Sequence, residues 1–180
     1  MKKLVFLFLL LSTLIANAQT MVMNDTTTDV TFETRHLLGK LEGTLRGVSG
    51  TIFFDSVNLI NSTIKLSFQT STFVHNDQYL GPDLWKPACF DIKKYPTIDL
   101  RSTSITNTTL PNQYEFKGTL TVKDVAKNIS FPFTAVPNVG GFDFDFSFPL
   151  NKNDFKLDCA FKNKMTIKVK GYGKRINPNP

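Results

Sequence analysis

Apolar and polar residues alternate with a period of two through most of this chain, most plainly from Phe142 to Phe148, where Asp143, Asp145 and Ser147 separate four phenylalanines. Successive side chains of an extended backbone point to opposite faces, so the four rings share one face of a strand and the polar residues share the other. The same phase recurs at Val30, Phe32 and Thr34, across Leu41 to Leu45, at Ile52 and Phe54, and at Ile64, Leu66 and Phe68. It returns at Ile98 and Leu100, from Tyr114 to Val122, from Ile129 to Ala135, from Phe155 to Phe161 and from Met165 to Gly171. Gly39, Gly43, Gly47 and Gly50, Asn58 to Asn61, Pro111-Asn112, Pro137 to Gly141 and Asn151 to Asp154 supply the turns. About ten short strands spaced in this way predict an all-β antiparallel meander, closed as a barrel or stacked as a sandwich. Residues 19–29, rich in Thr, Asn and Asp, read as a flexible leader to one domain over residues 30–175.

One stretch lacks the alternation. Between Thr72 and Pro96, the run Asn76 to Leu80 before Gly81-Pro82 predicts a short helix or turn ending at the proline. Trp85 and Phe90 fall in this stretch outside any strand, and are expected to cover an end of the sheet structure.

The first eighteen residues change the compartment. Met1-Lys2-Lys3, an apolar run from Leu4 to Leu11 and Ala16-Asn17-Ala18 form the pattern of a cleavable secretory signal. The run is too short to span a bilayer and no Cys follows the cleavage position, so neither a transmembrane segment nor a lipid anchor is predicted. Cleavage after Ala18 takes 18 residues from 180 and leaves 162, the size of one domain with a sizeable core. Loss of Lys2 and Lys3 lowers the 21 basic residues to 19 against 15 acidic ones, a modest net charge of +4. Basic residues gather only at Lys162, Lys164, Lys168, Lys170, Lys174 and Arg175. A solvated strand face accounts for them better than a nucleic-acid surface, since no interleaved aromatic motif accompanies them.

Export permits a bridge between the two cysteines, Cys89 and Cys159. The other reading is two buried thiols, with Cys159 on the inward phase of Phe155, Leu157 and Phe161. Two cysteines and two separated histidines, His36 and His75, do not make a structural zinc site.

Candidate catalytic groups are thin. His75, Asn76 and Asp77 with Ser71 or Ser104 lack any placed nucleophile motif, and neighbours in sequence cannot by themselves supply nucleophile, base and orienter. Asp143 and Asp145 read as a solvated face, and no glycine-rich phosphate loop occurs. What remains is aromatic surface: 17 Phe against 4 Tyr, apolar area placed with few hydroxyls that need partners. If part of such an interior is unfilled, a hydrocarbon gains about 0.8 kcal/mol per buried methylene.

Several segments resemble one family. Phe90-Asp91-Ile92-Lys93-Lys94-Tyr95-Pro96-Thr97-Ile98 is similar to the F-D-V-x-K-Y-P-x-I segment of the YceI-like polyisoprenoid-binding proteins. Gly118 to Lys123, with Val125, Lys127, Ile129 and Pro132, resembles their G-x-L-T-I-K-G-V-T-K signature. Leu150 to Phe155 resembles their I-N-R-x-D-F turn, and Arg35-His36 stands where they carry K-H. The resemblance spans residues 30–172 and implies a lipocalin-like antiparallel β-barrel with one short helical insertion and an apolar tunnel for an isoprenoid or other long lipid. It also implies periplasmic location and no catalysis. Three departures stand out: the family's R-D-x-H-L reads Asn76 to Leu80 here, Asp124 replaces a turn glycine, and Lys152 replaces an Arg. A fourth is larger: where the family pattern has Ala or Gly, this chain has Phe146 and Phe148, whose rings would narrow or plug the tunnel.

The expected ligand is therefore a long-chain lipid, isoprenoid, quinone or fatty-acid-like, with no other cofactor, no nucleic acid and a homodimer left open. Its expected lining is Phe32, Phe54, Leu66, Phe68, Trp85, Phe90, Leu120, Phe142, Phe144, Phe146 and Phe148, with His36 or Lys152 near a headgroup at the mouth. The alternative is a ligand-free structural or stress-related scaffold whose barrel is filled by phenylalanine.

Overall fold

Among residues 19–36, 39–76 and 81–176, which the computed structural model describes, the chain forms eleven strands and one α-helix. They are β1 (Gln19–Asn24), β2 (Thr28–His36), β3 (Gly39–Leu45), β4 (Ser49–Phe54), β5 (Thr63–Gln69), β6 (Val74–His75), α1 (Gly81–Trp85), β7 (Thr97–Asn107), β8 (Gln113–Val122), β9 (Val125–Asn138), β10 (Gly141–Asn151) and β11 (Lys164–Arg175). Every pairing is antiparallel, in the order β1-β4-β5-β7-β8-β9-β10-β11. β1 then pairs back onto β11 through Met21↔Arg175 and Val22↔Lys174, so eight strands close a barrel. Closure gives every strand of the ring a paired neighbour on each side.

β2, β3 and β6 continue members of that ring. β11 carries β2 along Met165↔Thr34 to Gly171↔Thr28 and β1 just beyond, so β1 and β2 are one strand interrupted by Asp25 to Thr27. β4 and β3 pair with β1 and β2 in the same way and are interrupted at Arg46 to Val48. β5 and β6, which pair with β4 and β3, are broken by a turn of 3-10 helix at Thr70–Thr72. The three interruptions are stitched side by side. The Asp25 carboxylate accepts from the backbone N–H of Gly47 and of Val48, each at 2.7 Å. The Thr72 hydroxyl accepts from Arg46 N–H at 2.9 Å and lies 2.7 Å from Arg46 O. An interrupted ladder leaves backbone groups unpaired, and these two side chains supply the missing partners.

Three expectations are corrected. The stretch 19–24, read as part of a flexible leader, is β1, with Met21 and Met23 fully buried on one face. Phe155 to Phe161, read as a strand, is an irregular loop with Lys156 in the left-handed region at φ 55°. Its alternation is real, since Phe155, Leu157, Cys159 and Phe161 are all buried, but it arises from packing across the barrel end rather than from a ladder. Pro82 lies in the first turn of α1 instead of terminating a helix, where its missing N–H costs nothing. The signal segment at residues 1–18 and the helix expected at Asn76 to Leu80, from residue 77 on, lie outside the described residues. No helix among the described residues is long and apolar enough to cross a membrane.

Candidate functional site

The inward rows of the barrel form one apolar interior. On β10 the pattern is strict: Phe142, Phe144, Phe146, Phe148 and Leu150 are buried while Asp143, Asp145 and Ser147 face solvent. Asp145 pairs outside with Lys170 and Asp143 accepts from Asn138, which makes them outer-face residues. β8 and β9 add Tyr114, Phe116, Leu120, Phe131, Phe133 and Ala135, and the opposite wall adds Phe32, Ile52, Phe54, Leu66 and Phe68.

The rings are in contact with one another. Phe131 stacks on Phe116 with centroids 4.5 Å apart, on Phe148 at 5.4 Å and on Phe146 at 5.5 Å. Toward one end, Phe54 meets Tyr114, Phe142 and Phe144 edge-on at 5.0, 5.2 and 5.9 Å. Toward the other, Phe73 bridges Phe32 at 5.2 Å and Phe90 at 5.0 Å. None of these interior rings exposes more than 7% of its surface. A void wide enough to admit water would leave its walls accessible, so side chains occupy the axis of the barrel. Burial raises the Tyr114 phenol above its ordinary pKa, since the phenolate would lose hydration.

Two excursions close the Phe73 end. Residues 83–96 and 152–163 are joined by the Cys89–Cys159 disulfide, by Asp158 N–H to Ala88 O at 2.9 Å and by Ala160 N–H to the Asp83 carboxylate at 2.9 Å. The segment resembling F-D-V-x-K-Y-P-x-I does mechanical work here. Lys94 and Tyr95 N–H both reach Asp91 O, the Thr70 hydroxyl donates to Tyr95 O at 2.9 Å, and Lys123 Nζ donates to Pro87 O at 2.9 Å. Lys152, expected near a headgroup, instead spends its ammonium on Cys159 O and Phe161 O, each at 2.8 Å, fixing its own loop.

Of the expected lining, ten residues lie inside: Phe32, Phe54, Leu66, Phe68, Phe90, Leu120 and the four of β10. Trp85 does not; it is 40% exposed on α1, with its ring 6.2 Å from that of His75. His36 ends β2, paired with Gly39, and its side chain lies outside what is described. Tyr114, Phe116, Phe131, Phe133 and Phe73 also belong to the aromatic core and are absent from the expected lining, although the alternation around four of them is visible. His75 has a buried Nδ1 that makes no hydrogen bond among the described residues, and no group of three or more His, Cys, Asp or Glu there could hold a metal ion.

The wall has a seam between β9 and β10. The β9–β10 ladder ends at Phe146↔Phe133, while β9 runs back to Val125 and β10 on to Asn151. Pro132 and Pro149, which have no N–H to give, occupy the facing stretches. Phe131, Phe146 and Phe148 stack across the place where the two strands part.

The family model of the YceI-like domain matches residues 22–173. Among curated proteins, no relative matches. The fold is similar to BcnA of Burkholderia cenocepacia, with a TM-score of 0.73 at 21% identity over 79% of this chain and 94% of that one. It is similar also to the YCEI protein of Campylobacter jejuni, with a TM-score of 0.65 at 16% identity over 75% and 85% of the two chains. A polyisoprenoid binding domain from Saccharophagus degradans gives a TM-score of 0.66 at 8% identity over 89% of this chain and the whole of that one. At these identities the likeness carries the fold alone.

Proposed function

The chain belongs to the YceI-like family, and on that premise we propose that it binds a long-chain apolar lipid, isoprenoid, quinone or fatty-acid-like, inside its barrel. One observation carries this reading: the inward rows of the barrel are overwhelmingly apolar and aromatic, and hydrogen bonds already occupy three of the four buried polar residues. Thr34 donates to Lys164 O, Thr70 to Tyr95 O, and the Ser62 hydroxyl accepts from Asp55 N–H. Such an interior rewards burial of hydrocarbon and little else. The polyisoprenoid binding domain that shares the fold supports the same class of ligand. Residues 1–18, with a basic start, an apolar run and Ala16-Asn17-Ala18, support export to the periplasm, where a carrier between two membranes would work.

Because side chains fill the axis, the ligand must move rings aside. Phe146 and Phe148 are the ones to move, since they stand at the seam where the ladder has ended. Each ring given up costs about 1.5–3 kcal/mol of burial, and each methylene taken in returns about 0.8 kcal/mol. A long chain can repay that and a short one cannot.

A second reading has its own observation. The 7% ceiling on ring exposure fits a barrel that phenylalanine fills permanently, serving as a binding scaffold on its outer surface. Native mass spectrometry of the mature protein from its own periplasm, followed by solvent extraction, separates the two. A stoichiometric long-chain species is expected. Clean protein that also refuses added isoprenoids and fatty acids would establish the filled barrel instead.

A further inference from the structure

On the outer face, at the end closed by the disulfide-linked loops, cations meet cations. Arg35 and Lys40 are direct cross-strand partners of the β2–β3 ladder, both exposed. On the other flank of β2, Lys164 lies one step past the Met165↔Thr34 pair, and Lys162 N–H donates to Arg35 O at 2.6 Å. Three strand ends and a loop thus bring Lys40, Arg35, Lys164 and Lys162 to the same level, around an open groove of about 660 Å³. Like charges placed opposite each other destabilise a sheet, so folding alone does not favour this row.

The acidic neighbours are already used. Glu33 lies 2.9 Å from Lys168 and 3.4 Å from Lys40, and Lys40 also pairs with Glu42. The hydrogen bond from Lys168 and the nearby Lys40 hold the Glu33 carboxyl below its ordinary range, while Glu42 raises the Lys40 ammonium. Among the described residues, no carboxylate pairs with Arg35, Lys162 or Lys164. Two apolar groups stand at the same barrel end: Val74, 60% exposed on β6, and Trp85 on α1, which Asp83 ties to Ala160, two residues from Lys162.

We propose that this basic groove, with Trp85 and Val74 exposed at the same barrel end, is a docking surface for the anionic headgroups of a lipid bilayer. The cations sit in an open groove on flexible stems, which suits many mobile phosphates at a surface better than one enclosed anion. An amphipathic indole beside lysines is the composition of a membrane-interface contact. The proposal supplies the carrier reading with its membrane contact, and its test is independent of any cargo.

The test is co-sedimentation of the mature protein with vesicles of phosphatidylglycerol and phosphatidylcholine, compared with phosphatidylcholine alone, at low and physiological salt. The protein should pellet with the anionic vesicles only, and less as salt rises. The triple variant Arg35→Gln, Lys162→Gln, Lys164→Gln should weaken binding roughly 100-fold, from about fivefold per cation at a charged surface. All three side chains are exposed, so its far-UV spectrum and melting temperature should match those of the parent. Equal binding to both vesicle types, no binding by the parent, or a triple variant that binds as the parent does would each overturn the proposal. So would binding abolished by Leu110→Ser with Val139→Ser, exposed apolar turn residues at the opposite barrel end. Cargo extracted from a protein that ignores anionic vesicles would sink the groove and spare the carrier. Vesicle binding by a cargo-free protein that takes up no lipid would do the reverse.

Discussion

At the scale of single residues, Phe131 and the pair Phe146 and Phe148 separate stability from function. Phe131 is stacked on three rings, so Phe131→Ala should cost about 3–5 kcal/mol, read as a lower midpoint in a urea titration. Truncating Phe146 and Phe148 together should destabilise the fold as well, yet increase uptake of a fluorescent long-chain fatty acid, because it hollows the barrel at its seam. A doubly truncated protein that folds and takes up no more probe than the parent would remove these rings from the binding path. Tyr114 gives a pH signature. Its phenol ionises later in the folded protein than in the unfolded one, so its contribution is complete below the ordinary phenol range of about 10 and is lost as pH rises through the raised folded value. In an ultraviolet titration, Tyr114→Phe should remove a tyrosine that ionises above the ordinary phenol range. The inward phase of these residues was legible because a period of two fixes a face. Which rings touch across the barrel was not, because that depends on strand order and stagger, which alternation does not encode.

At the scale of elements, the same limit explains what was missed. Nine of the ten strands expected from the alternation are strands of the sheet; the three bends were not legible. Asp25 sits in a stretch of Asn, Asp and Thr that resembles any polar turn, and its partners Gly47 and Val48 are distant in sequence. Replacing it with Ala removes a charged acceptor from two N–H groups, an expected loss of about 1.5–3 kcal/mol for each hydrogen bond to a charged group, checked by thermal melting. β1 was hidden for a related reason, since apolar Val22 between Met21 and Met23 masks the period of two and Asn24 and Asp25 follow at once. The loop 152–163 misled in the opposite sense: alternate burial was read as a ladder when a chain laid across a barrel end produces the same spacing. The disulfide links residues 70 apart, and closing so long a loop restricts the unfolded chain by about 4 kcal/mol. Reduction should lower the melting temperature accordingly and loosen the two excursions first, seen as faster amide exchange at Leu84 and Phe161 than in β8.

At the scale of the whole molecule, a filled barrel that still binds lipid must discriminate by length. Moving the Phe146 and Phe148 rings costs about 3–6 kcal/mol together, and association itself costs at least about 4 kcal/mol in lost freedom. About ten methylenes return about 8 kcal/mol, which those costs consume, whereas about twenty return about 16 kcal/mol. Affinity measured by probe displacement along a series of saturated fatty acids and linear isoprenoids should therefore be negligible for short chains. It should rise steeply once the chain repays the displaced rings, and level off when it spans the barrel. The Phe146→Ala, Phe148→Ala protein should begin that rise at shorter chains, because it has fewer ring atoms to displace. A threshold that does not move in this variant would place the ligand elsewhere, whereas a moved threshold would tie the family's apolar interior to this chain's own aromatic filling.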